Sequence, residues 1–263
     1  MKKLFLTLLI ISFISCKDTK KETVIEHSEA HLNTVNNAYP ENLQNVFEAH
    51  GGLDSWKTQR FLEFTMLKEE GDEVTRTNLR TRASHIETPD HAIGFNGKDV
   101  WLLNKGDKAY TGKPKFYYNL MFYFYAMPFV LADEGIVFKD AEPLVFEGER
   151  YPGIHISYQS GIGGSPEDEY ILYYNAETYK MEWLAYTVTF FTNEKAKELH
   201  FRRYNNWQDV DGLLLPKTIV KYKYENNLPT TENGETVFAH IKLSKEQPND
   251  VLFEIPEGAE IIE

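Results

Sequence analysis

A single cysteine, Cys16, occurs in this chain of 263 residues. No intramolecular disulfide can brace the fold, so it must hold by its core. Cations are also scarce: 28 Lys and Arg stand against 40 Asp and Glu, for a formal charge of −12. That balance excludes a nucleic-acid partner, since phosphate binding needs clustered Lys and Arg. It equally excludes an electrostatic grip on an anionic membrane. Long apolar runs are missing too. Residues 4–14 and 116–132 are the most apolar stretches, and both are too short to span a bilayer. No Gly-x-Ser-x-Gly elbow, His-Glu-x-x-His helix or phosphate-binding loop is present. No repeat of fixed period appears, which excludes a propeller or solenoid.

The lone cysteine stands where an export signal should end. Met1-Lys2-Lys3 is a short basic start, Leu4 to Ile14 is apolar apart from Thr7 and Ser12, and Ser15 supplies the small residue at the cut. Phe13-Ile14-Ser15-Cys16 resembles the lipobox of bacterial lipoproteins, with Phe13 where Leu is usual. The resemblance implies that Cys16 is diacylated and becomes the mature N-terminus. Residues 1–15 are then a signal peptide, and losing Lys2 and Lys3 takes the charge from −12 to −14. Attachment to the membrane would come from the acyl chains. The expected location is the cell envelope, at the outer membrane, on its periplasmic side or at the cell surface.

Residues 16–39 read as a lipidated tether, polar at first and poor in large apolar residues. Residues 40–263 read as one domain. Leu43, Val46 and Phe47 fall at helical spacing after Pro40, and Gly51-Gly52 closes that helix. A short turn is expected over 53–56. From residue 60 onward the pattern is β, with strands expected over 60–69, 73–83, 91–95, 98–103, 107–111, 143–148, 153–159, 168–175, 179–191, 198–208, 213–225 and 235–246. Asn96-Gly97, Lys105-Gly106, Asp211-Gly212 and Asn233-Gly234 supply turn chemistry between them. Strands joined by short turns form an antiparallel meander. The fold class is therefore mainly β.

Two strand regions, 170–174 and 184–191, are apolar on both faces and need cover on both sides. The segment 116–132, FYYNLMFYFYAMPFVLA, is the expected cover. As a helix it would line one face with Tyr118, Phe122, Tyr125 and Phe129, and it is apolar nearly all round, as a buried helix is. It is either a core helix or a movable plug over an apolar cavity. Trp183 and Tyr222 lie on strands whose apolar faces could meet it, so these six residues are the candidate lining of a ligand cavity.

Chemistry is thinly signalled. Gly161-Ile162-Gly163-Gly164 lies between strands and reads as a hairpin loop rather than a phosphate cradle. His27 and His31 fall in the tether, where no scaffold fixes a site. His85, Asp90 and His91 flank Pro89 in a strand–loop–strand joint, and His155, His200 and His240 are scattered. Glu167, Asp168 and Glu169 read as a solvated acidic run. No metal, cofactor or catalytic residue is expected.

In its order of motifs the chain resembles the LolA/LolB-like lipoprotein-carrier superfamily, and uncharacterised bacterial lipoproteins within or beside it. The residues that carry this are His50-Gly51-Gly52-Leu53-Asp54-Ser55-Trp56, Phe95-Asn96-Gly97-Lys98-Asp99-Val100-Trp101, the aromatic run 123–131, Val210-Asp211-Gly212 with Leu215-Pro216, and 253–259. The resemblance implies a half-open antiparallel β-barrel with helices over its concave face and an apolar cavity that accepts acyl chains. It implies no catalytic residue. The superfamily's lid-locking arginine is left unassigned among Arg76, Arg80, Arg82, Arg202 and Arg203. The leading expectation is a lipid-anchored carrier, monomeric, for a lipid or a lipoprotein acyl chain. The alternative is a structural lipoprotein with a filled barrel, and an enzyme built from scattered His and acids comes last.

Overall fold

The computed structural model describes residues 38–159, 167–191 and 196–263. The signal over 1–15, Cys16, and the tether up to residue 37, with His27 and His31, lie outside the described residues, as does Gly161-Ile162-Gly163-Gly164. Among the described residues no helix is long and apolar enough to cross a membrane.

Helix α1, Glu41–Ala49, buries Leu43, Val46 and Phe47, the residues its spacing selects. Gly51 and Gly52 both take positive φ, and the Gly52 N–H donates to the Phe47 carbonyl at 2.9 Å. Helix α2, Leu53–Thr58, follows and buries Trp56. Five strands then run as a meander: β1 Phe61–Leu67, β2 Glu73–Asn78, β3 Ser84–Glu87, β4 His91–Phe95 and β5 Val100–Asn104. After the helical segment come β6 Ile136–Phe146, β7 Glu149–Tyr158, β8 Tyr170–Tyr174, β9 Met181–Tyr186, β10 His200–Val210, β11 Leu213–Glu225, β12 Leu228–Ser244 and the short β13 Glu260–Ile261.

All thirteen strands form one antiparallel sheet, in the order β13-β5-β4-β3-β2-β1-β12-β11-β10-β9-β8-β7-β6. Strand β12 returns to pair with β1, which joins the two meanders into one sheet. β6 and β13 end it without pairing to each other, so the barrel is half open. Phe253 packs with Phe61 and Ala83, and β13 then covers the edge of β5. The topology also explains the cover. β5 lies next to one edge and β6 forms the other, so the chain between them has to cross the sheet.

That crossing is not the continuous helix expected over 116–132. It is broken into α3 Pro114–Tyr117, α4 Leu120–Tyr125 and a 3-10 turn over Phe129–Ala132. Asn119, at φ −130° and ψ 0°, interrupts the first two, and Pro128 has no N–H with which to carry α4 on into the third. The pieces still bury the concave face. Tyr125 packs on Phe64 and Phe238 with centroids at 4.4 and 4.6 Å, and Phe129 stacks on Trp56 at 4.9 Å.

Several strand expectations are corrected. Residues 107–111 form no strand, because the Tyr110 N–H is taken by the Asn104 side chain after Lys105-Gly106. β3 and the first half of β6 fall outside the expected strands. The β11–β12 turn is Asn226-Asn227, both at positive φ, and not Asn233-Gly234. Gly234 sits inside β12, where the register shifts between Val220 and Tyr222. It supplies a bulge.

Candidate functional site

The six candidate cavity residues fall in different places. Phe122, Tyr125 and Phe129 belong to the main core with at most 2% exposure each. Trp183 and Tyr222 belong to a second aromatic cluster with Phe146, their centroids 4.7 Å apart. Trp183 follows the alternation of β9, where Leu184 and Tyr186 face the main core, so it points to the opposite face. Trp183 and Tyr222 therefore do not meet Phe122 and Tyr125. Neither face of β9 is distinguishable by its own composition, since both are apolar. Of the six, Tyr118 alone lines the apolar cavity beside the covering segment.

That cavity, of about 320 Å³, lies beside the segment. Phe116, Leu120, Phe124 and Met127 form one wall, and Tyr158 and Tyr170 stand on the sheet side. Phe116 touches both Phe190 and Phe191 at 5.1 Å, and Phe191 is 63% exposed. Its polar side chains besides the tyrosines are Asp133, Glu134 and Asp168, with Lys115 and Asn119 on the covering side. Asp168, expected in a solvated run, is instead buried at 8% exposure, and its Oδ1 accepts the Thr189 N–H at 2.7 Å. Burial raises its pKa, and the hydrogen bonds to Thr189 and Thr187 oppose that shift. A run of three acids carries no local sign of which one turns inward, so sequence reasoning misses it.

Two arginines hold the cover. Arg82, at φ +62° in the β2–β3 turn, pairs with Asp133 and lies 5.1 Å over the Phe122 ring. Burial raises the pKa of Asp133 and the Arg82 charge lowers it in opposition. Arg202 stacks 4.2 Å over Phe124 and donates to the Tyr186 hydroxyl. Arg203 faces the second cluster, over Trp183 at 5.1 Å, and Arg76 pairs with Glu63 at 2.6 Å. Arg80 donates to the Lys57 carbonyl.

The histidines serve separate places. His50 is fully buried, its Nδ1 2.7 Å from the Val46 carbonyl oxygen and its Nε2 accepting the Met181 N–H at 3.4 Å. Burial lowers its pKa to about 4. His85 bonds the Leu252 carbonyl and Glu87, while His91 bonds Thr88, so the two do not converge. His155 is 3.4 Å from Glu169, and His200 stacks on Tyr186 at 5.5 Å. Among the described residues no group of three or more His, Cys, Asp or Glu could hold a metal ion.

A family model with the description "Family of unknown function (DUF6503)" matches residues 2–226. The chain belongs to the DUF6503 family. No curated protein matches this DUF6503 chain. It is similar to the crystal structure of a LolA superfamily protein from Nitrosomonas europaea, with 10% identity, 81% of this chain and 97% of that one covered, and a TM-score of 0.45. It is also similar to a DUF1329 family protein from Desulfovibrio piger, with 8% identity, 81% and 95% covered, and a TM-score of 0.47. The half-open antiparallel sheet with helices on its concave side is the plan that the motif resemblance implies.

Proposed function

We propose that this protein is a lipid-anchored envelope protein that binds and carries a hydrophobic ligand, an acyl chain or lipid, in the cavity beside the covering segment. The observation that carries the reading is that cavity. It is walled by Phe, Tyr, Leu and Met with a minority of polar side chains, the composition of a small-molecule site, at the lower end of the usual range of about 300–1,000 Å³. The lipobox-like Phe13-Ile14-Ser15-Cys16 supports the anchor. In this reading residues 1–15 are removed, Cys16 is acylated, 16–39 are a tether and 40–263 form one carrier domain at the outer membrane, acting as a monomer.

A filled structural barrel is the second reading, and the full burial of Phe122, Tyr125 and Phe129 on the concave face favours it. Native mass spectrometry after mild extraction separates the two. The carrier reading expects a co-purifying lipid, and binding of a neutral fluorescent acyl probe that Leu120→Glu abolishes. A protein free of lipid that binds no neutral probe is a filled barrel.

A further inference from the structure

We propose that the cavity selects an amphiphile with a cationic amine head, the ammonium resting between the rings of Tyr158 and Tyr170 and the carboxylate of Asp168. The inference rests on the ligand-binding reading above and names the ligand class for the same cavity.

Tyr158 ends β7 and Tyr170 begins the paired β8, and their rings meet at 81° with centroids 6.0 Å apart. Two ring walls at a right angle form a corner, and electron-rich ring faces attract a cation. Asp168, two residues before Tyr170, is buried at the same cavity and is held in place by the Thr189 N–H. Burial is the main reason both phenols hold their protons above the usual range, and the nearby Asp168 charge adds to the effect at each. The pairing of Ile156 with Tyr170 brings the chain just before β8, where Asp168 lies, alongside the Tyr158 end of β7.

The remaining charges agree. Asp133 is satisfied by Arg82, while Glu134 on the rim adds a further negative charge. Among the described residues of the lining, Lys115 is the one cation. A carboxylate head would face Asp168 and Glu134, with Lys115 on the lining and Arg202 behind the Phe124 wall as the offsetting charges. An anion brought beside a buried anion is strongly disfavoured. An ammonium finds a counter-charge and two ring faces, and its tail can lie along Phe116, Leu120, Phe124 and Met127. The net charge of −12 favours approach of cations at long range.

The test titrates the full chain, near neutral pH and below micelle-forming concentrations, with dodecyltrimethylammonium, dodecanol and dodecanoate, which share one tail. The expected ranking places the ammonium about tenfold tighter than the alcohol and the carboxylate weakest. Asp168→Asn should remove the preference for the ammonium over the alcohol. Should that variant melt out, Tyr158→Leu serves in its place, and the ranking on the unaltered chain decides in either case. Equal binding of all three probes, or tightest binding of dodecanoate, overturns the ammonium site and leaves the ligand-binding reading standing. If no probe binds, the ligand-binding reading fails and the inference falls with it.

Discussion

His50 packs edge-on against Trp207 with centroids 4.5 Å apart, and both of its ring nitrogens bond backbone. Its neutral ring ties α1 to β9. Its folded pKa of about 4 lies below the ordinary 6.5, so the unfolded chain binds the extra proton. The stability it contributes is complete above pH 6.5 and is lost as pH falls toward 4, by about 3 kcal/mol. Denaturant unfolding at pH 7.5 and 4.5 should show a smaller loss for His50→Gln than for the unaltered chain. Equal losses would remove this role. Phe122 offers a second test at this scale. At 2% exposure it belongs to packed core, and Phe122→Ala should cost about 3–5 kcal/mol. Leu120, half-buried at the cavity wall, should cost about 1 kcal/mol as Ala while weakening neutral-probe binding. A small loss at Phe122 would mean that space behind it is already open. That Phe122 is apolar and on a buried face was legible in the sequence. That the Phe122 face fills core while the Leu120 face meets the cavity was not, because a segment apolar nearly all round gives no sign of which face stays unfilled.

Elements in this protein are positioned by turns that touch one another. The His50 carbonyl accepts the Leu214 N–H at 2.9 Å, and a Cβ on Gly51 would collide with the Gly212 carbonyl oxygen. The end of α1 is thus seated directly on the Asp211-Gly212 hairpin turn. Gly234, by contrast, has φ +108° and open space for 4 Å around the place a Cβ would take, so only its backbone conformation resists substitution. Gly234→Ala should cost about 1–2 kcal/mol, the left-handed penalty alone. Gly51→Ala carries the same penalty plus displacement of a turn, and should cost clearly more. Comparing the two unfolding midpoints checks the docking, and equal costs would refute it. Asp211-Gly212 was readable as a hairpin because two apolar runs flank it closely. Asn233-Gly234 carries the same local signal, yet Asn226-Asn227 makes the turn. Its residues also bond outward: Asn227 accepts the Leu199 N–H and donates to the Lys197 carbonyl. Those contacts come from the neighbouring strand connection and have no trace in the local pattern.

For the molecule as a whole, the lipoprotein reading predicts that an anchor at Cys16 can be removed without loss of the body. Cys16→Ala should leave a protein that is exported yet soluble or unprocessed. A processed form that still fractionates with membranes after a salt wash would overturn the lipoprotein reading. Deleting residues 20–29 should leave the melting temperature nearly unchanged, since that stretch lacks a periodic apolar face. The deletion must stop short of Tyr39, whose ring packs on Phe47 at 5.5 Å and whose hydroxyl donates to the Ala132 carbonyl. A large fall in melting temperature would show that the tether packs on the body.

Local patterning encodes an all-antiparallel meander, α1 with its buried Leu43, Val46 and Phe47, and an aromatic segment that had to cover a sheet. Alternation and turn residues are short-range signals, and each acts within a few positions of itself. Tertiary structure decided the rest. Strands β8 and β9 are apolar on both faces, so only the placement of β6 and of the covering segment separates Trp183 from Leu184. The route across the sheet follows from β5 and β6 lying toward opposite edges, which no residue in 105–135 announces. Asp168 became buried, and Tyr158 and Tyr170 came to meet at its side, through pairing of β7 with β8 and the Thr189 contact after β9. The candidate site is assembled from residues distant in sequence, and burial of a charge among them is a property of the assembled neighbours rather than of the charged residue.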